Sequence, residues 1–141
     1  MKKVLSILLV SIFLLISFIP SFAASPEAVS PLYLNTSQAS VAITISEDGT
    51  VSIAVKCIGK SSATSITATT YLERKAGPSW AIVDLGTSQD TWTEYVSARY
   101  LVKTYTKRLS ITGEYRATTI FTVNGASGTE TFTLHDTRTY Q

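Results

Sequence analysis

The sequence predicts an all-β protein, an antiparallel sandwich or barrel of about seven strands. Three observations carry that prediction. Successive runs alternate apolar and polar residues with a period of two. Turn residues such as Glu47-Asp48-Gly49, Ala76-Gly77-Pro78-Ser79 and Asn124-Gly125 interrupt the runs at intervals of about ten residues. Beyond the N-terminal apolar run, no stretch sustains an apolar period of 3.6 residues, so essentially no helix is expected there.

The N-terminus reads as a secretory signal. Lys2 and Lys3 give a positive start, residues 4–19 are apolar apart from Ser6, Ser11 and Ser17, and Pro20 ends the run. Ser21-Phe22-Ala23 then offers small residues at the two positions a signal peptidase reads, which predicts a helical signal peptide over residues 1–23. About 16 residues precede the proline, fewer than the roughly 20 of a spanning helix, so cleavage rather than anchoring is expected. Residues 24–40, with Pro26, Pro31 and many small polar side chains, read as an extended leader, in which Pro31-Leu32-Tyr33-Leu34 could lie along a sheet edge. The sandwich domain is expected over residues 41–141.

The first strand is marked by Val41, Ile43 and Ile45 alternating with Ala42, Thr44 and Ser46. Glu47-Asp48-Gly49 turns it into a second, where Val51, Ile53, Val55 and Cys57 share a face. After a small-residue loop, Ile66, Ala68, Thr70 and Leu72 alternate with Thr67, Thr69, Tyr71 and Glu73 in a third strand. A glycine-proline turn leads to a fourth from Trp80 to Leu85, where Trp80 is expected to fill the core. The segment from Gly86 to Thr93 is polar except for Trp92, and Tyr95 to Tyr105, rich in β-branched and aromatic residues, reads as a fifth strand with a bulge. Leu109 and Ile111 cross to Gly113, from which Tyr115, Ala117, Thr119, Phe121 and Val123 form the inward face of a central strand. Asn124-Gly125 turns the chain into a last strand, Thr129 to His135, with Phe132 and Leu134 facing in.

Charge and cysteine content narrow the function classes. The chain has 12 basic and 10 acidic residues, and loss of Lys2 and Lys3 with the signal leaves ten of each. The mature protein is formally neutral and its cations are dispersed, which argues against nucleic-acid binding. Cys57 is the sole cysteine, so no internal disulfide forms; it alternates with Val51, Ile53 and Val55 and reads as a small buried hydrophobe. Nothing in the mature sequence predicts a stable membrane anchor. About 118 residues are enough for one domain that folds without staples.

At Gly113-Glu114-Tyr115-Arg116-Ala117 the chain resembles the penultimate strand of immunoglobulin-like domains, where a tyrosine precedes a core position by two residues. Where those domains carry a cysteine this sequence has Ala117, while Cys57 lies on the run corresponding to the second strand. Together with the signal, Val41-Ala42-Ile43-Thr44-Ile45-Ser46, Thr70-Tyr71-Leu72-Glu73-Arg74-Lys75, Gly77 and Trp80, the motif resembles a family of short secreted proteins of Gram-positive bacteria, a domain of unknown function. The resemblance implies an immunoglobulin-like β-sandwich and secretion. It implies no activity and supplies no functional residues.

Catalytic and metal-binding signals are sparse. His135 is the sole histidine and stands in no nucleophile motif, one His and one Cys make a poor zinc set, and Glu47-Asp48 lacks the regularly spaced oxygen ligands of a calcium loop. No cofactor and no catalytic residue is therefore expected. The candidate ligand-binding residues are aromatic: Tyr71 on the outward face of its strand, Trp92 in a polar loop, and Tyr95. Amphipathic rings of this kind stack on sugars or anchor protein partners, and they equally cover a sheet with their hydroxyls in water. The expectation is a secreted, non-catalytic binding module acting on a cell-wall glycan or surface protein. The alternative is an antimicrobial or toxin-like β-protein, disfavoured by the neutral charge because membrane-directed proteins are usually cationic.

Overall fold

A computed structural model describes residues 33–141; the expected helical signal peptide, and the leader up to residue 32, lie outside the described residues. Eight strands follow: β1 (Thr36–Ile45), β2 (Thr50–Gly59), β3 (Ala63–Ala76), β4 (Ser79–Ile82), β5 (Trp92–Val96), β6 (Tyr100–Arg108), β7 (Gly113–Gly125) and β8 (Gly128–Tyr140). They form two antiparallel sheets, one ordered β1-β2-β6 and the other β4-β3-β7-β8, with β5 also pairing β3. No helix occurs among the described residues. In an immunoglobulin-like sandwich the A, B and E strands share one sheet and the C, F and G strands the other; β1, β2 and β6 take the first set of places and β3, β7 and β8 the second, with β4 and β5 added beside β3.

Alternation sets the core. Ile43, Val51, Ile53, Val55, Cys57 and Leu101 from the first sheet join Ile66, Ala68, Leu72, Ala117, Phe121 and Val123 from the second in one buried cluster. Antiparallel register places Ile66 opposite Val123, Ala68 opposite Phe121 and Leu72 opposite Ala117, so the inward faces of β3 and β7 merge into a single apolar surface. Thr70 and Thr119 interrupt it, but their hydroxyls bond each other at 2.9 Å, which satisfies both without water. The Phe121 ring stacks on Phe132 of β8, with centroids 5.2 Å apart.

Two turns position these strands. At the β1–β2 hairpin Gly49 has φ of +81°, and a Cβ there would lie 2.8 Å from the Tyr140 hydroxyl, so only glycine fits. At the entry to β7 Gly113 takes φ of +142°, and Tyr115 donates its hydroxyl to the Ile111 carbonyl. That bond makes the expected tyrosine corner, and Ala117 is fully buried two residues later.

The structure revises four sequence-derived boundaries, the last strand running on to Tyr140 rather than ending at His135. The expected fifth strand is two strands in different sheets: β5 pairs with β3, whereas β6 pairs with β2. The reason is parity. Trp92, Glu94 and Val96 turn inward at even positions, but Leu101 and Tyr105 turn inward at odd ones, and exposed Ser97-Ala98-Arg99 carries the change of phase and of sheet. The expected fourth strand stops at Ile82, because the Asp84 carboxylate accepts the Gly86 amide and bends the chain. The first strand begins at Thr36, ahead of the Val41 at which apolar alternation becomes visible.

Carboxylates from β8 tie β1 across the open side of the sandwich. Glu130 accepts the backbone amides of Leu34 and Asn35 and the Thr36 hydroxyl, and Asp136 accepts the Ile43 amide at 3.0 Å. Ile43 sits opposite Ile53 on β2, so its amide would otherwise be left at a free edge. Inward-pointing acids of this kind protect an edge from pairing with another chain.

With no cross-link between the sheets among the described residues, burial carries the stability. Phe121→Ala should cost about 3–5 kcal/mol of unfolding free energy in a urea titration. A loss below about 1 kcal/mol would show that β7 is not the centre of the core.

Candidate functional site

The same alternation that turns Ile66, Ala68 and Leu72 inward turns Thr67, Thr69, Tyr71, Glu73 and Lys75 outward on β3. Pairing extends these positions into rows across the second sheet. Tyr95, Thr67, Thr122 and Thr131 form one row; Thr93, Thr69, Ile120 and Thr133 form the next. Tyr71, Thr118 and His135 make the third, and Ile82, Glu73, Arg116 and Thr137 the fourth. Thr69–Thr93 and Thr122–Thr131 hydroxyl pairs, each at 3.3 Å, bridge neighbouring strands within their rows. The result is a sheet face of ordered hydroxyls with aromatic rings along one side.

Tyr71 and Tyr95 both belong to this face. Tyr95 lies opposite Thr67, four residues before Tyr71 on β3, so their rows are about 13 Å apart along the strand. Tyr95 is 62% exposed, and Tyr71 is half-buried beside the charged row. Trp92 does not join them. It pairs with Thr70, an inward position, and its indole stacks on Tyr105 of β6 with centroids 4.9 Å apart and planes 4° from parallel. Beyond that stack Glu94 and Lys103 form an ion pair at 3.0 Å, so β5 and β6 close this side of the sandwich together. Burial pushes the Tyr105 hydroxyl pKa upward.

Trp80 corrects a second expectation. Instead of filling the core it stands on the outer face, half-buried, with the Arg116 guanidinium 4.3 Å from its ring centroid and the Lys75 ammonium 5.9 Å away. Arg116 also grips Glu73 with two bonds, Nε to Oε2 at 2.8 Å and Nη2 to Oε1 at 2.9 Å, and Thr118 donates its hydroxyl to the same Oε2. Burial alone would raise the Glu73 pKa, but the bonds from Arg116 and Thr118 outweigh it and hold the carboxyl below its ordinary value. A carboxylate so engaged holds its charge at neutral pH and orients Arg116; the arrangement suits binding rather than proton transfer.

The position of Trp80 could have been read from the chain. Gly77-Pro78 makes a two-residue hairpin turn that sets Ala76 opposite Ser79 and Lys75 opposite Trp80, so the tryptophan shares the outward face of Lys75. The Arg116–Glu73 contact has no such local signal, because 43 residues separate the partners and only the β3–β7 register joins them.

The remaining candidates fall elsewhere. His135 is exposed on the edge strand β8, opposite Thr118. Cys57 is fully buried, and burial pushes its thiol up to about 11, which leaves it protonated and inert at neutral pH. Asp48 serves the β1–β2 turn: the Ser46 hydroxyl, then the Thr50 amide and hydroxyl, with Arg108 nearby, lower its pKa to about 2. Among the described residues no three His, Cys, Asp or Glu side chains are grouped to hold a metal ion.

Two measurements test this division of roles. Trp92→Ala should destabilise the fold by about 2–3 kcal/mol, because the indole packs inward on Tyr105, whereas Tyr95→Ala should cost under about 1 kcal/mol by the same urea titration. Glu73 and Glu130 both titrate below the ordinary 4.5 in the folded protein, Glu130 because bonds from Asn35, Thr36 and Leu34 outweigh its burial. The folded state therefore binds fewer protons than the unfolded one in that window. Their contribution is complete above 4.5 and is lost as pH falls through the lowered folded values. Urea midpoints measured over roughly pH 3–6 should fall toward acid, and Glu73→Gln should flatten the dependence. Comparison of the chain with protein-family models, with curated proteins and with solved structures finds no match.

Proposed function

We propose that the protein is a secreted, non-catalytic binding module that holds a cell-wall glycan on the outer face of its larger sheet. The observation that carries this reading is the shared face of Tyr71 and Tyr95 beside rows of threonine hydroxyls, bounded at the far end by Trp80. A sugar ring offers C–H faces to an aromatic ring and hydroxyl edges to donors and acceptors. The face supplies both on a rigid sheet, so little ordering entropy is lost on binding. Arg116 is held by Glu73 and Trp80 and is available to an acidic or hydroxylated substituent.

Extracellular action rests on the N-terminal signal pattern and fits the family resemblance to secreted bacterial proteins. The lack of catalysis rests on the chemistry of the face: Glu73 is paired with Arg116, Glu114 with Lys75, and the one histidine stands opposite a threonine. The module would therefore attach, position or mask rather than cleave.

Co-sedimentation with purified insoluble wall glycan tests the reading. The Tyr71→Ala, Tyr95→Ala double variant should bind about tenfold or more weakly while its thermal midpoint stays within a few degrees of the parent. Undiminished binding would sink the proposal. Capture that survives enzymatic digestion of the glycan would assign the face to a surface protein instead.

A further inference from the structure

A cleft of about 450 Å³ opens at one end of the sandwich, between β4 with the segment that follows it and the connection from β6 to β7. Its floor is formed by Leu109 and Tyr115, both buried, and the Tyr115 hydroxyl is already committed to the Ile111 carbonyl. The floor is consequently apolar. Ile82 and Ile111 line the cleft and are 61% and 52% exposed, so both offer apolar surface to an occupant. Charge is supplied by Arg74 and Lys107, neither of which makes an ion pair among the described residues. Arg108 also lines the cleft but is paired with Asp48 at 3.0 Å. The acid present, Asp84, accepts the backbone amide of Gly86.

We infer that this cleft binds an anionic amphiphile, with a carboxylate or phosphate head between Arg74 and Lys107 and a hydrocarbon stem against Ile82, Val83 and Ile111. The volume lies within the range of small-molecule sites, roughly 300–1,000 Å³, and the combination of apolar walls with few directed polar groups is their usual composition. Arginine presents a planar fork matched to two oxygens of an oxoanion, while lysine adds a point charge. A free oxoanion would use only the cationic part of this site, and a neutral hydrocarbon would leave the excess of cations over the single Asp84 carboxylate uncompensated. A ligand carrying both parts uses the whole cleft. Ile82 is shared with the fourth row of the outer face, but neither Tyr71 nor Tyr95 lines the cleft, so either site can fail without the other.

The purified protein should be titrated with sodium decanoate and with decyl phosphate, each below its micelle concentration, while amide shifts are followed by NMR. Saturable shifts confined to residues 74, 81–84 and 107–115 are expected with at least one of the two. Inorganic phosphate and decanol should each bind at least about tenfold more weakly than the better probe, since each lacks one part of the interaction. Shortening the stem should weaken binding by roughly fourfold per buried methylene removed. Arg74→Gln and Lys107→Gln should each weaken binding by about tenfold with unchanged thermal midpoints, and the second variant keeps the test valid if the first disturbs folding. The Tyr71→Ala, Tyr95→Ala variant should bind the amphiphile like the parent. Shifts scattered over the whole surface, equal binding of decanol, or no saturation with either probe would overturn the inference.

Discussion

The register between β3 and β7 is the constraint on which the rest of the molecule depends. It brings Leu72 to Ala117, Thr70 to Thr119, Ala68 to Phe121 and Ile66 to Val123 in the core. On the opposite side the same pairing brings Glu73 to Arg116, Tyr71 to Thr118 and Thr67 to Thr122. A slip of one residue would exchange the two faces, exposing Phe121 and burying Arg116. Stability and the candidate binding surface are therefore two readings of one ladder of backbone bonds.

Acidic residues do different work according to the face they occupy. On the outer face Glu73 is spent on orienting Arg116 beneath Trp80. On the inner edge Glu130 and Asp136 accept backbone amides from β1 and the residues just before it, which closes the side of the sandwich that has no ladder partner. The Trp92–Tyr105 stack and the Glu94–Lys103 pair close the other side. The two sheets are thus held by packing between them and by polar or aromatic clasps at both margins, without a disulfide at Cys57.

The candidate site is flat and built on strands rather than loops. Such a surface suits a repetitive, extended ligand, because hydroxyl positions within a row recur at the strand spacing of about 4.8 Å. The cleft at the sandwich end is the opposite in character, concave and amphipathic, and depends on the meeting of β4 with the β6–β7 connection. Neither feature requires the other.

Local alternation determined much of this protein. The inward set of β2, β3 and β7, the glycine turn at Gly49 and the buried state of Cys57 follow from period-two patterning and turn chemistry, which act over a few residues, while the corner at Tyr115 was legible only through the resemblance to immunoglobulin-like domains. The phase change between Val96 and Leu101 and the two-residue turn at Gly77-Pro78 were also written locally, and they divide the supposed fifth strand and turn Trp80 outward. Tertiary structure alone decided which residues of distant strands meet. Arg116 finds Glu73, Trp92 finds Tyr105, and Asp136 finds the Ile43 amide through pairings 13 to 93 residues apart in the chain, as register and sheet packing dictate. Those contacts separate Trp92 from Tyr71 and Tyr95, because a side chain's face is a local property while its neighbours are not.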